Sequence, residues 1–485
     1  MSIPWALELF HRTVATVPAY RTFLARQGVE PNTIVDGNAF RRLPLLTKAE
    51  YVRAFPLDQI CRDGRLTTCD LIAVSSGSSG SPTFWPRSET DQVAVAAAFE
   101  RIFRGSFQAD RRTTLAVVCF PLGTWVGGLY TVDCCRDIAR TAGYPMTTVA
   151  VGNNLDEVLR VVPALAGHFD QVVLLGYPPF VRSVLDTGIV RGLDWSQYST
   201  KLVLGGELFS EDWRDLMVAR TGAASPCFDT ASLYGSADAG LLGIETPLTV
   251  AIRRFLAARP AIATEFFGEG RIPSLVQYDP AERFVEREDD GTLTVTADTG
   301  IPLIRYHIAD EGGLTSYTDM MAFCAEHGFD PLDALRNDPG FTDESATLTL
   351  PFLHVFGRSL FTVSYFGANI YPETVASGLE DPEIASRLTG AFFVETVEDE
   401  NRERQLVITV ELAAGVTANA ALTSRIAMSV LARLTKQNSE FVNYVPANRR
   451  LPTVSLRAAG DPLFTSRGVK LRYVPPKEGQ EARRD

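Results

Sequence analysis

The stretch Val74-Ser75-Ser76-Gly77-Ser78-Ser79-Gly80-Ser81-Pro82-Thr83 governs how the rest of the chain is read. Five serines and two glycines between Val74 and Pro82 suit neither a strand interior nor a helix interior. Glycine permits positive φ and close approach, and successive backbone amides and hydroxyls can converge on an anion. A flexible Ser/Gly linker has a similar composition, but linkers sit in longer polar stretches. This run is flanked directly by Leu71-Ile72-Ala73-Val74 and by Phe84-Trp85. We read it as a phosphate cradle. It is not the GxxxxGK[ST] loop of P-loop NTPases, because no lysine follows the second glycine.

Outward from the loop the pattern alternates. Ser88-Glu89-Thr90-Asp91 opens an alanine-rich helix to about Phe103. Strand-like runs follow at Leu115–Phe120, Thr147–Val151, Gln171–Leu175 and Leu202–Leu204, with helical stretches at about 129–141, 154–166, 178–186 and 211–220 between them. Apolar strands alternating with amphipathic helices predict an α/β domain whose mostly parallel sheet is covered on both faces. Upstream, the first ~70 residues read as capped helices, with a capping box at Thr47-Lys48-Ala49-Glu50. A β-rich part is expected at Ser274–Tyr278, Arg283–Glu288, Thr292–Ala297 and Pro302–Ile308, then a helix from Tyr317 to His327. Strands near Phe361–Tyr365 and Gln405–Leu412 and a helix near Ala420–Leu434 make a smaller α+β pattern. The boundary is placed near Gly357-Arg358, giving domains of 1–357 and 358–485, with a disordered tail from Pro475.

Composition narrows the function. The 485 residues carry a net charge of -12, with 46% hydrophobic and 21% charged residues. These proportions fit a globular enzyme, and the acidic balance argues against a nucleic-acid binder. The most apolar run, Leu115 to Tyr130, is broken by Pro121, Gly123, Gly127 and Gly128, so no membrane span is expected. The start Met1-Ser2-Ile3-Pro4-Trp5 lacks a basic signal-peptide region. Seven cysteines without a CxxC predict neither a disulfide framework nor structural zinc, and point to the reducing cytosol. Cys119 reads as a small core residue. Asp-Thr-Gly occurs at Asp186 and Asp298, but neither context fits a protease dyad: one follows a helical pattern with Gly188 as its C-cap, the other precedes a turn at Ile301-Pro302. There is no GxSxG elbow.

Several motifs then occur in one order. Val74–Thr83 resembles the Ser/Thr/Gly-rich phosphate loop of the adenylate-forming superfamily of acyl-CoA synthetases, adenylation domains and luciferases. Within it the chain looks most like the phenylacetate-CoA ligase branch. Thr16-Val-Pro-Ala-Tyr-Arg21 and Leu43-Pro-Leu-Leu-Thr-Lys48 resemble that branch's opening "VPFYR … LP.TTK". Leu204-Gly-Gly-Glu-Leu-Phe-Ser210 resembles its "GGE/GAE" turn, and Leu233-Tyr-Gly-Ser-Ala-Asp238 its "YGxTE". Ile304-Arg-Tyr-His-Ile-Ala-Asp310 resembles "IRYRTGD". Val355-Phe-Gly-Arg358 through Gly367-Ala-Asn-Ile-Tyr-Pro-Glu373 resembles "GRxDD…GxNVxPxxIE", and Gly468-Val-Lys470 the terminal Gly-Lys segment. The resemblance spans about residues 16–472.

The resemblance implies a large ATP- and acyl-binding domain followed by a small lid domain, and gives each residue a role. Ser75, Ser76, Gly77, Ser78, Ser79 and Gly80 would wrap the β- and γ-phosphates of ATP. Gly205, Gly206 and Glu207 would line the adenine, with Tyr234 against its ring. Asp238 would hold Mg²⁺ on the phosphates. Asp310 would accept hydrogen bonds from the ribose hydroxyls, with Arg358 beside it, and Lys470 would meet the carboxylate and α-phosphate as charge moves. These roles suit the chemistry: a diol needs an acceptor-only carboxylate, Mg²⁺ prefers hard oxygens, and attack at phosphorus rewards a preplaced cation.

By position, Phe120, Trp125, Gly128, Tyr177 and Phe180 follow sheet strands, where open α/β sheets bind ligands. Their rings lean the acyl site toward an aromatic acid. Three departures stand out. Asp238 replaces glutamate, Ser81 replaces a lysine, and Leu360 replaces the hinge aspartate of "GRxDD", with Phe361 following. His307 reads as a satisfied structural histidine. The expected reaction joins a carboxylic acid and MgATP to an acyl-AMP. The acyl group then passes to coenzyme A, or directly to an amine or hydroxyl. The alternatives are a degenerate nucleotide-binding relative and adenylation of a hydroxyl.

Overall fold

The computed structural model describes residues 3–75, 83–268, 271–343, 347–358, 363–381, 383–398, 403–413 and 415–465. They form two compact units, Met1–Ser75 with Thr83–Gly357, and Arg358 onward.

In the first unit a hairpin of β1 (Leu71–Ser75) and β2 (Thr83–Arg87) brackets the Ser/Gly segment. The alternating region supplies β3 (Thr114–Val118), β4 (Met146–Ala150), β5 (Gln171–Gly176) and β6 (Thr200–Gly205), and then β7 (Thr230–Ser236) and β8 (Gly240–Ile244). β9 (Ser274–Gln277), β10 (Arg283–Arg287), β11 (Thr292–Ala297), β12 (Leu303–Thr315) and β13 (Phe352–Arg358) follow. The parallel strands and the β-rich part are one mixed sheet of eleven strands, ordered β10-β11-β12-β13-β9-β8-β7-β6-β5-β3-β4. From β4 to β7 every pairing is parallel, and beyond β7 the pairings of β8, β9 and β13 are antiparallel.

The parallel half is covered on both faces, as its continuous apolar strands require. Helices Glu89–Gly105 and Val126–Asp137 pack on one side, against Ala116, Val118, Val173 and Val203. Helices Leu155–Leu165, Pro178–Val190 and Glu211–Thr221 pack on the other, against Leu115, Val117, Leu174 and Leu202. Local signals fix their ends: Asn154 and Ser210 cap two helix starts by accepting from Glu157 N and Trp213 N. Cys119 is fully buried, and burial pushes its thiol up to about 12, as a core residue requires.

The helix at Pro178 does not stop at Gly188 but runs to Val190. The glycine is there for packing, because a Cβ on it would stand 2.6 Å from the Trp195 ring. The two Asp-Thr-Gly acids are tied into ion pairs, Asp186 with Arg182 and Arg220, and Asp298 with Arg12 and Arg62.

The second unit has a hairpin of β14 (Val363–Tyr365) and β15 (Ala368–Ile370), and a sheet of β16 (Leu388–Glu398), β17 (Arg404–Leu412) and β18 (Thr453–Arg457). Helix Ala420–Gln437 buries Leu422, Ile426, Val430 and Leu434 at helical spacing into this unit's own core.

Candidate functional site

The carboxyl ends of β6 and β7 anchor the site. β6 ends at Gly205, and Gly206 turns the chain with φ +85°, a conformation that favours glycine. A Cβ on Gly206 would meet the Tyr177 ring at 2.3 Å, and one on Gly205 would touch the Phe120 ring at 3.5 Å. Tyr177 and Phe120 themselves meet edge to face, with centroids 5.1 Å apart. The glycines expected to line an adenine and two of the expected acyl-site aromatics therefore share one wall.

That wall continues to the β1–β2 hairpin. A Cβ on Gly127 would lie 3.8 Å from the Phe120 ring, and Trp125 heads the same helix. Val74 pairs with Trp125 in an isolated parallel bridge, and Val74 N donates to Thr124 O at 2.9 Å. Gly128 is explained by the backbone, since a Cβ there would lie 2.0 Å from Pro121 O. Phe180 is 8% exposed and belongs to the core on the opposite face of the sheet from Phe120.

At the far end of β7 the chain makes a crossed arrangement with β12. Tyr234 donates its hydroxyl to Asp310 Oδ2 at 2.7 Å, and Tyr306 donates to Asp238 Oδ2 at 2.6 Å. In each segment a tyrosine precedes an aspartate by four residues. Each tyrosine serves the other segment's acid. Three strands lie between β7 and β12 in the sheet order. In a flat sheet four inter-strand steps would hold them roughly 19 Å apart, so the sheet curls until these ends meet.

Backbone irregularity marks the same place. β11 and β12 slip register between Thr292 and Thr294 and between Val295 and Ala297, and on β12 Arg305 and Ala309 adopt φ of +48° and +64°. A left-handed non-glycine residue is strained, and bulges of this kind re-aim side chains near functional sites. Arg305 is held by Glu286 at 3.1 Å, by Glu288 at 2.6 Å and by Leu43 O at 2.7 Å. His307 is bonded to Thr292 Oγ1 at 2.9 Å, a structural role.

Lys48, which the sequence reading placed in a helix-start motif and at the end of the "LP.TTK" resemblance without giving it a role, joins this cluster. Leu46 pairs with Tyr306, so β12 carries the N-terminal segment to the site. Lys48 Nζ lies 3.2 Å from Asp238 Oδ1 and 5.2 Å from the centroid of the Trp85 ring, and Trp85 Nε1 donates to Ser75 Oγ at 2.9 Å. Thr47 caps the helix after it by accepting from Glu50 N. Below, Asp91 is fully buried between Arg87 at 3.1 Å and Arg283 at 2.8 Å, and Arg87 also donates to Ala237 O, bracing the residue before Asp238.

Asp238 is a single carboxylate. Among the described residues no group of three or more His, Cys, Asp or Glu is arranged to hold a metal ion. The donor set therefore fits Mg²⁺ only as an ion shared with phosphates and water, which needs one or two protein carboxylates. Glu207 is half-buried beside Gly206. Ser76, Gly77, Ser78, Ser79, Gly80, Ser81, Leu360, Phe361, Lys470 and the tail lie outside the described residues, as does the Arg358 side chain, while the Arg358 backbone ends β13.

No family model matches the sequence, and no curated protein matches it. Solved structures do match the fold. A 2-hydroxyisobutyryl-CoA ligase in its thioesterification state, with 2-hydroxyisobutyryl-AMP and coenzyme A bound, superposes with a TM-score of 0.61 and 16% identity, over 97% of this chain and 87% of that one. An open conformation of that ligase gives a TM-score of 0.53 at 15% identity, over 96% and 89%. Its postadenylation state gives 0.53 at 16%, over 97% and 87%.

Proposed function

We propose, for a chain with the fold of the adenylate-forming enzymes, that it activates a carboxylic acid with ATP. The acid's carboxylate oxygen attacks the α-phosphorus, the α–β P–O bond breaks, and acyl-AMP and pyrophosphate form. The acyl group then passes to coenzyme A or directly to an amine or hydroxyl. The observation that carries this reading is the crossed Tyr234–Asp310 and Tyr306–Asp238 pairing beside the Gly206 turn. It gathers a carboxylate for a ribose diol, a flat ring for adenine and a carboxylate for a phosphate-bound cation within one wall.

In this reading Gly205, Gly206 and Glu207 border the adenine, Tyr234 packs on it, and Asp310 accepts from the ribose. Ser75 to Gly80 and Lys48 meet the phosphates. Asp238 holds Mg²⁺, which when bound neutralises charge on the departing pyrophosphate. Lys470 and Arg358 complete the site in the first half-reaction. Phe120 and Tyr177 favour a flat, aromatic acid, and the motif order favours the phenylacetate-CoA ligase branch.

The acceptor is open to a sequence argument. A hinge visits two backbone conformations, and a short polar residue is solvated in both. Leu360 prefers burial by about 1.5–3 kcal/mol, which biases the chain toward whichever arrangement buries it. Acyl transfer to an amine or hydroxyl needs no such rotation. The test supplies MgATP and a panel of aromatic and aliphatic acids with either coenzyme A or amines, and follows products by mass. Amide or ester formation outpacing thioester formation supports direct transfer. Acyl-CoA formed as fast as the adenylate assigns the acceptor to coenzyme A. No acyl-AMP with any acid would overturn the proposal.

A further inference from the structure

A polar cavity lies at the opposite edge of the parallel strands. Its volume is about 410 Å³, and its lining includes Thr200, where β6 begins. The proposed adenine turn is at the other end of β6, roughly 17 Å away at the rise of a strand. All of its lining belongs to the first unit.

Three observations give this cavity a chemistry. First, Arg112 lines it, and Arg112 Nη2 donates at 3.1 Å to two neutral oxygens, Ser199 Oγ and Asp170 O. The Asp170 carboxylate is turned to Thr113, accepting from Thr113 N and Oγ1 at 2.8 Å. Among the described residues no carboxylate forms an ion pair with Arg112, although its charge reaches the Asp170 carboxylate, which the Thr113 hydrogen bonds and then Arg112 hold below the ordinary range. Second, the one acid in the lining, Asp229, is answered by the wall itself. It pairs with Lys201 and accepts from Ala224 N at 3.1 Å and Ser225 N at 2.8 Å. Third, Ser106 is 3% exposed and its hydroxyl has no hydrogen-bond partner among the described residues. Buried hydroxyls are paired in folded proteins, and Ser106 is one of the few among the described residues that are not.

We propose that the cavity is a second ligand site, for a small phosphorylated polyol. A guanidinium with neutral partners suits a phosphate oxyanion, and Lys201, held by Asp229, keeps that carboxylate from opposing it. The hydroxyls of Ser106, Ser199 and Ser225 suit the polyol. The volume falls within the roughly 300–1,000 Å³ of small-molecule sites. β6 and β7 both start at the cavity edge and run to the adenylation site, so an occupant here sits on the two strands that carry Gly205 and Tyr234.

The test is titration calorimetry on the full chain with ribose 5-phosphate, with ribose and inorganic phosphate as controls, repeated with a non-hydrolysable ATP analogue at saturation. Ribose 5-phosphate should bind saturably, about tenfold or more tighter than either control, and the analogue should not displace it. Arg112→Gln should weaken it by about tenfold or more, the loss of a charge-assisted contact. Ser106→Ala should weaken it while leaving the melting temperature unchanged or raised, because no internal hydrogen bond is lost. That variant decides the matter if Arg112→Gln folds poorly. Absence of saturable binding, equal binding of inorganic phosphate, displacement by the analogue, or full retention in Ser106→Ala would each overturn the proposal.

Discussion

Two buried polar clusters of the large unit hold carboxylates by different means. Around helix Glu211–Thr221, guanidiniums do the work. Arg214 is fully buried and reaches Glu211 at 2.9 Å, Glu245 at 2.7 Å and Thr230 at 2.6 Å, and Arg253 also pairs with Glu211. Burial alone would raise the Glu211 pKa, but Arg214 and Arg253 outweigh it and hold the carboxyl below its ordinary value. Around β7 and β12, neutral phenol hydroxyls hold Asp238 and Asp310. The first cluster cancels its charge internally and locks two helices to the sheet. The second orders its acids through neutral hydroxyls, with Lys48 as a cation partner for Asp238, an arrangement that suits the proposed cation and diol.

The comparison breaks first on stability. Arg214→Met should cost about 3–5 kcal/mol, since it strands the buried Glu245 and leaves Glu211 to Arg253 and Arg254 alone, and chemical denaturation measures it. A loss under 1 kcal/mol would mean the guanidinium cluster is not architectural. Next, Asp238→Asn keeps an acceptor for Tyr306 while removing the charge. Adenylation should fall about 10²–10³-fold with the melting temperature near wild type; the reverse pattern would make Asp238 structural. Tyr306→Phe removes a bond to a carboxylate and should destabilise by about 1.5–3 kcal/mol. Tyr234→Phe, at a half-buried position, should cost about 1 kcal/mol and show chiefly as weaker ATP binding in a thermal-shift titration.

The smallest effect is a pH dependence. A carboxyl whose folded pKa is depressed stabilises above its unfolded value of about 4.3 and loses that contribution as pH falls through the folded value. The wild type should therefore lose the Glu211 contribution only as acid passes below about 4.3. Glu211→Gln should flatten that part of the stability profile. A wild-type profile already losing this term near neutrality would contradict the charge balance drawn for the cluster.

What was legible in the chain followed the range of its interactions. Strands such as Gln171–Gly176 and helices such as Glu89–Gly105 announced themselves because continuous apolar runs and helical spacing are local signals. The β7–β8 hairpin did not: Ser232-Leu-Tyr-Gly-Ser-Ala-Asp-Ala-Gly240 is small and polar, and its strand character comes from neighbours on the sheet. The union of the parallel half with the β-rich half was hidden for the same reason. At the site, the motifs marked Gly206, Tyr234, Asp238 and Asp310 with roles, and Lys48 without one. Lys48 arrives through the Leu46–Tyr306 bridge, a contact between segments some 260 residues apart that no local pattern encodes. One signal was available: Tyr-x-x-x-Asp occurs at 234–238 and again at 306–310, and those four residues are the ones that cross.

The central claim is that this chain reversibly joins a carboxylate to AMP. Exchange of labelled pyrophosphate into ATP tests it with no acyl acceptor present. With Mg²⁺ and the cognate acid, label should enter ATP in the wild type, should not enter without acid, and should fall sharply in Asp310→Ala. Exchange that ignores the acid, or no exchange across the whole acid panel while ATP binding is demonstrable, would contradict the account.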